Sequence, residues 1–212
     1  MMGRVVKISL GTALLAVAAA ACITSSVLAL FLQTFSALTR ETPVAQVVMV
    51  PIQSDDNGEY MDIEFTPYRF ESSLAHVFNL QDTGSAGAPG ETQTFKIYGD
   101  TVAVRGPLIK LHPGLLILNF ENIYKLSLIE GEYRRASNAG REGTEITING
   151  GFDDSWWNVN NQEANFPYNL IVDRFTFSGD EEPGFYGEGR KRYEIVVTMD
   201  AITWNYIEDV AG

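Results

Sequence analysis

The stretch at residues 150–165 reads GGFDDSWWNVNNQEAN and gathers the chain's densest set of groups able to do chemistry. Trp156 and Trp157 offer ring faces on which sugars stack, and Asp153, Asp154 and Glu163 offer carboxylates that grip hydroxyls. Two carboxylates astride a glycosidic bond would hydrolyse it, one as acid and the other as base or nucleophile. The same residues also suit a bland role. Two indoles can fold back over a core from a polar loop, or lie at a membrane interface as amphipathic rings. With 27 acidic residues in the chain, neighbouring carboxylates carry little specificity. The segment therefore reads as a long polar loop, with Trp156 and Trp157 as ligand or interface aromatics and no catalytic residue.

Other chemistry-bearing spacings are weaker. Counted from Gln53, residues Asp55, Asn57, Gly58 and Glu64 fall at positions of a calcium-binding helix–loop–helix. The first position should be Asp and is Gln53, and the flanks are strand-like between Pro51 and Pro67, so a polar hairpin tip explains the same residues. His76 sits beside an apolar stripe without a second His, Cys or clustered carboxylate, and His112 stands at a turn before Pro113. Cys22, the only cysteine, lies inside an apolar stretch, so the rest of the chain must be stable without a disulfide. No metal, cofactor or catalytic constellation is expected.

Everything else must be positioned by one element. Residues 8–32 contain no charge, and no charged side chain follows until Arg40. At 1.5 Å per residue they make a helix of roughly 37 Å, enough for a ~30 Å hydrocarbon core with some tilt. Arg4 and Lys7 precede the stretch and Arg40 is followed at once by Glu41. The positive-inside rule then predicts a cytoplasmic tail at 1–7, a transmembrane anchor at 8–32, a stalk at 33–43 and an extracytoplasmic domain at 44–212. The basic start and the alanines also fit a cleaved signal, and Ala19-Ala20-Ala21-Cys22 resembles a degenerate lipobox. Apolar sequence continues to Leu32 and resumes at Phe35, beyond any such cut, which favours an uncleaved anchor. Gly11, Ala18, Cys22, Ser25 and Ser26 are small, and small residues let membrane helices approach closely, so they are the expected contact with another membrane helix.

Beyond the anchor the balance is acidic. The chain's net charge is −12, and residues after Arg40 carry 12 bases against 27 acids. Such a surface repels nucleic acid and anionic headgroups. Strand patterns recur at 44–52, 60–65, 95–104, 124–128, 146–148, 169–177, 192–199 and 201–206, with a strongly apolar stretch at 108–120 around Pro113-Gly114, one short helix at 68–80 and loops at 81–92 and 134–144. The pattern predicts a mainly β domain, an antiparallel sandwich or partly open barrel. The basic run Arg190, Lys191, Arg192 is expected to pair with Asp180 to Glu182.

Several blocks carry a resemblance. LTRETPVA (38–45) follows the anchor, FKIYGDTVAV (95–104) leads to IYKLSLIEGEYR (123–134), and FPYNLIVDR (166–174) precedes RYEIVVT (192–198). Their order and spacing are similar to a family of small, single-span, uncharacterised bacterial envelope proteins commonly labelled "multidrug transporter" or "cation/multidrug efflux pump". The chain departs from that pattern with Val102 where the family has Trp, and with longer insertions around 66–93 and 136–165. The resemblance implies an inner-membrane protein with its domain outside, and brings no catalytic residues. A pump, however, needs several spans around a polar midplane site, and one uncharged helix provides neither. The expectation is a non-enzymatic accessory subunit that meets other membrane subunits through its helix and acidic domain; the alternative is an envelope ligand-binding module, possibly for glycan, using Trp156 and Trp157.

Overall fold

The computed structural model describes residues 2–68, 74, 78, 80, 90–118, 120–138 and 140–210, with the side chains of 2–10, 37 and 38 left out. The expected helix at 68–80, His76 with it, and the loop at 81–89 lie outside the described residues, save Tyr68, Leu74, Phe78 and Leu80. The chain divides into two units, Met1–Thr39 and Arg40–Gly212.

The first unit is a single helix, α1 (Met2–Leu38), and within it Gly11–Ser36 is long and apolar enough to cross a membrane. A helix suits lipid because its backbone groups satisfy one another. The hydroxyls join in: Thr24 donates to the Ala20 carbonyl, Ser26 to that of Cys22 and Thr34 to that of Leu30, each at 2.8 Å. The helix therefore runs through Gln33 and Thr34 into what the sequence reads as stalk. It stops after Thr39 bonds back to Phe35, because Pro43 bars helical geometry in the residue before it.

The second unit is built from β1 (Thr42–Met49), β2 (Gln53–Asp55), β3 (Gly58–Pro67), β4 (Gln93–Tyr98), β5 (Thr101–Leu111), α2 (Pro113–Ile117), β6 (Ile123–Tyr124), β7 (Leu128–Glu132), β8 (Glu145–Thr147), α3 (Asp154–Gln162), β9 (Val172–Ser178), β10 (Glu181–Pro183), β11 (Arg190–Val197) and β12 (Ile202–Val210). All pairings are antiparallel. One sheet runs β12-β11-β1-β3, with β2 continuing β1 along one side of β3 and β4 on the other. Pro43 sits where the β1–β11 register shifts, a place a strand tolerates a missing N–H. The other sheet is organised by β5, which pairs with β7 and β6 along one edge and with β10 and β9 along the other.

The sheets pack face to face as a β-sandwich. Ala45, Val47, Met61, Ile63, Phe65 and Ile195 from one sheet meet Val102, Val104, Leu108, Leu126 and Ile129 from the other. Residues Tyr60, Asp62 and Glu64 alternate outward, as the period of two requires. Both margins are stitched. Thr144 N–H donates to the Tyr98 carbonyl at 3.0 Å on one side, while on the other Asp180 N–H reaches the Ile202 carbonyl at 3.1 Å and Trp204 Nε1 the Asp180 carbonyl at 3.0 Å.

One local expectation changes and another holds. The basic run splits, because β11 lies between β1 and β12: Arg190 pairs with Glu64, Arg192 with Glu208, and Lys191 lies over the Phe185 ring. Glu181 instead meets Arg105 and Arg134 beside β5. The calcium-loop residues form the β2–β3 hairpin. Asp55 accepts from Lys96 Nζ at 2.6 Å, a bond that chiefly holds its carboxyl down at about 2, and Glu64 is taken by Arg190.

Where β5 meets the 124–127 segment the backbones nearly touch. A Cβ on Gly106 would stand 1.8 Å from the Lys125 carbonyl oxygen, and a backbone atom cannot swing aside. Gly106→Ala is expected to destabilise the domain by about 3 kcal/mol, lowering its Tm by roughly 10 °C in detergent-solubilised protein followed by near-UV circular dichroism.

Candidate functional site

The segment read as a polar loop at 150–165 contains α3, and its signals are local. Asp153 caps the helix, accepting from Ser155 N–H at 2.9 Å and Trp156 N–H at 3.4 Å, and Asp154 supplies a charge to the first turn. Trp156 and Val159, at helical spacing, turn inward and are both buried. The helix is strapped to the second sheet at both ends. Asp153 Oδ2 takes Lys125 Nζ at 2.8 Å, and Glu163 Oε2 accepts from the Phe175 backbone N–H at 2.7 Å.

Lys125 is the residue that sequence reasoning missed. Alternation along 124–128 puts Tyr124 and Leu126 on the core face and Lys125 on the other, which reads as exposed. The structure leaves its side chain 1 % exposed, since α3 covers that face. A buried ammonium needs a partner, and Asp153 provides it. Burial on its own would raise the Asp153 carboxyl; hydrogen bonds from Lys125 and Ser155 outweigh that and leave it below the ordinary 3.8. The fully buried Trp156 indole N–H has no hydrogen-bond partner among the described residues.

Trp156 and Trp157 therefore part company. The first is a core side chain at 0 % exposure, and the second stands 51 % exposed on the outside of α3. Trp157 meets Phe152 edge-on at 5.7 Å, and Phe152 in turn contacts Phe175 at 5.9 Å and Phe177 at 6.2 Å. Phe175 and Phe177 share one face of β9, two residues apart. The result is one half-exposed aromatic patch, a surface able to stack a flat or ring-shaped ligand. The carboxylates do not converge on it: Asp153 is held by Lys125, and Glu163 by backbone.

Elsewhere, polar clusters tie loops to strands. Arg105 reaches Glu130, Glu132 and Glu181 at 3.1, 3.4 and 3.1 Å. Buried Asp100 accepts from the backbone N–H groups of Arg134 and Arg135 at 2.8 and 3.0 Å. No group of His, Cys, Asp or Glu able to hold a metal occurs among the described residues. On α1, Gly11, Ala18, Cys22, Ser25 and Ser26 fall within one side of the helix, since their spacings of four and seven keep them in register with its turn. No protein-family model, curated protein or solved structure matches this chain.

The Lys125–Asp153 pair gives a direct test. Asp153→Ala strips the cap and leaves Lys125 buried alone, at an expected cost of about 3 kcal/mol, the low end for a broken buried pair because Asp153 keeps contact with water. Lys125→Met with Asp153→Asn retains a cap, removes both charges and should recover most of that loss by chemical denaturation. A carboxyl titrating below its unfolded value contributes stability above it, lost as pH falls through the folded value. As pH falls below about 4 the native chain should thus lose stability more steeply than the double variant.

Proposed function

We propose that this chain is a single-pass protein of a bacterial inner membrane, with its N-terminus cytoplasmic and its β-sandwich extracytoplasmic, serving as a non-enzymatic accessory subunit of a larger membrane complex. The observation that carries the reading is one uncharged lipid-length helix joined directly to a self-contained sandwich. Orientation follows from Arg4 and Lys7 ahead of the span. The small-residue side of α1 is the contact for a neighbouring helix, and the acidic domain the contact for a partner's outer part. The block resemblance to single-span envelope proteins supports the same placement.

Purification of the full chain in mild detergent tests this. Partner subunits should co-purify with the native chain and be lost from Ala18→Leu/Ser25→Leu, which thickens the contact side without removing the span. A strictly monomeric native chain with no stable companion overturns the accessory role. A C-terminal reporter that is active only in the cytosol overturns the orientation.

The Phe152, Trp157, Phe175 and Phe177 patch favours a second reading, an envelope module for a ring-bearing ligand such as glycan. Trp157→Ala/Phe177→Ala removes exposed rings and spares the core residue Trp156. Under that reading the double variant loses retention on cell-wall or oligosaccharide matrices by about tenfold or more, each stacked ring contributing on the order of 1 kcal/mol; unchanged retention removes glycan from consideration.

A further inference from the structure

At the end of the sandwich where Arg40 begins, two connecting segments hold no acidic, lysine or arginine side chain, and His112 alone faces a carboxylate, Asp173 at 3.7 Å. The first, residues 112–120, reads HPGLLILNF, and the second, residues 164–171, reads ANFPYNLI. They are joined to each other: His112 N–H donates to the Ile171 carbonyl at 3.0 Å, and His112 Nε2 lies 3.1 Å from the Asn169 carbonyl. They also adjoin the start of the domain. Arg40 pairs with Glu121 at 3.5 Å, and Asn122 donates to the Thr198 and Met199 carbonyls in the turn that follows Val197, the partner of Thr42. Their apolar side chains point to solvent, Leu118 at 68 %, Phe166 at 79 % and Leu170 at 64 % exposure.

In a water-facing loop such residues are costly, and this domain otherwise spends charge freely. The covalent tether limits where the loops can be. Leu38 ends the helix and Thr42 opens β1, so the connection spans at most about 14 Å even when fully extended. Whatever the angle at the joint, this end of the domain stays within reach of the headgroups that bound the span.

We propose that these two loops form a lipid-contacting face, Leu118, Phe166 and Leu170 entering the interfacial layer of the bilayer that α1 crosses. The contact is apolar, since the domain's acidity gives no attraction to anionic headgroups. It rests on α1 spanning the membrane.

The full chain in phosphatidylcholine nanodiscs tests both statements separately. Nitroxide labels are placed at native Cys22 and, in a Cys22→Ser background, at Leu118→Cys, Leu170→Cys and Asp56→Cys; Asp56 lies in the exposed β2–β3 turn at the opposite end of β3 from Pro67. Collision with oxygen, which concentrates in lipid, is compared with collision with a water-soluble nickel complex. The ratio should favour oxygen at Cys22, Leu118 and Leu170 and reverse at Asp56. Water-like ratios at Leu118 and Leu170 with a lipid-like Cys22 overturn the lipid-contacting face alone. A water-like Cys22 overturns the span itself. Labels at Leu118 and Leu170 shielded from both reagents show a protein on this face, and that also overturns the proposal.

Discussion

The sandwich depends on β5 being buried on both faces. Its inner residues Val102, Val104 and Leu108 close the main core, while Ile109 and Leu111 on the other face are equally buried. A strand in that position cannot leave one side to water, so its outer face must be roofed, and α3 is the roof. Burying that face also buries whatever charge it carries. Lys125 is met by Asp153, and Arg105 by three carboxylates, so the roof and the ion pairs are consequences of the same constraint. Close backbone approach follows as well, with Gly106 placed where no side chain fits between β5 and the 124–127 segment.

What the sequence displays follows from how many faces of each element are wet. In β3 one face is wet, and the alternation of Met61, Ile63 and Phe65 with Tyr60, Asp62 and Glu64 is legible residue by residue. Along 101–111 both faces are dry, so the alternation that would separate inside from outside vanishes, and Lys125 on a neighbouring segment reads as exposed. Helix α3 shows only Trp156 and Val159 as its buried stripe within a polar run; its length is set by the cap at Asp153 and the anchorage at Glu163, and those depend on residues far away in the chain. The pairing of Arg190 and Arg192 was equally out of reach, because their partners lie 126 and 16 positions distant, Glu64 on β3 beyond β1 and Glu208 on the adjacent β12. For the aromatic patch, adjacency of Trp156 and Trp157 in the chain misleads: on a helix, consecutive residues face about 100° apart, so one entered the core and the other stayed outside. The rings that do accompany Trp157 come from Phe152 and β9.

Charge is allocated with similar economy. The domain has far fewer bases than acids, and the bases are drawn into specific pairs: Lys96 with Asp55, Lys110 with Asp200, Lys125 with Asp153, Arg192 with Glu208. Surplus carboxylates remain on the surface, where solvent screens them and where they contribute solubility more than stability. Against that acidic background, the loops at 112–120 and 164–171, without acid, lysine or arginine, stand out as a local departure from the rule the rest of the surface follows.

Tethering changes how strong an apolar contact must be to matter. Partial burial of three side chains the size of Leu118, Phe166 and Leu170 is worth about 4 kcal/mol in all, a millimolar affinity if the domain were free in solution. With α1 across a bilayer as proposed, a connection of about 14 Å keeps the domain in a thin shell at its surface, where the effective concentration of interface is itself in the millimolar range or above. The two quantities are comparable, so the proposed contact is a reversible one.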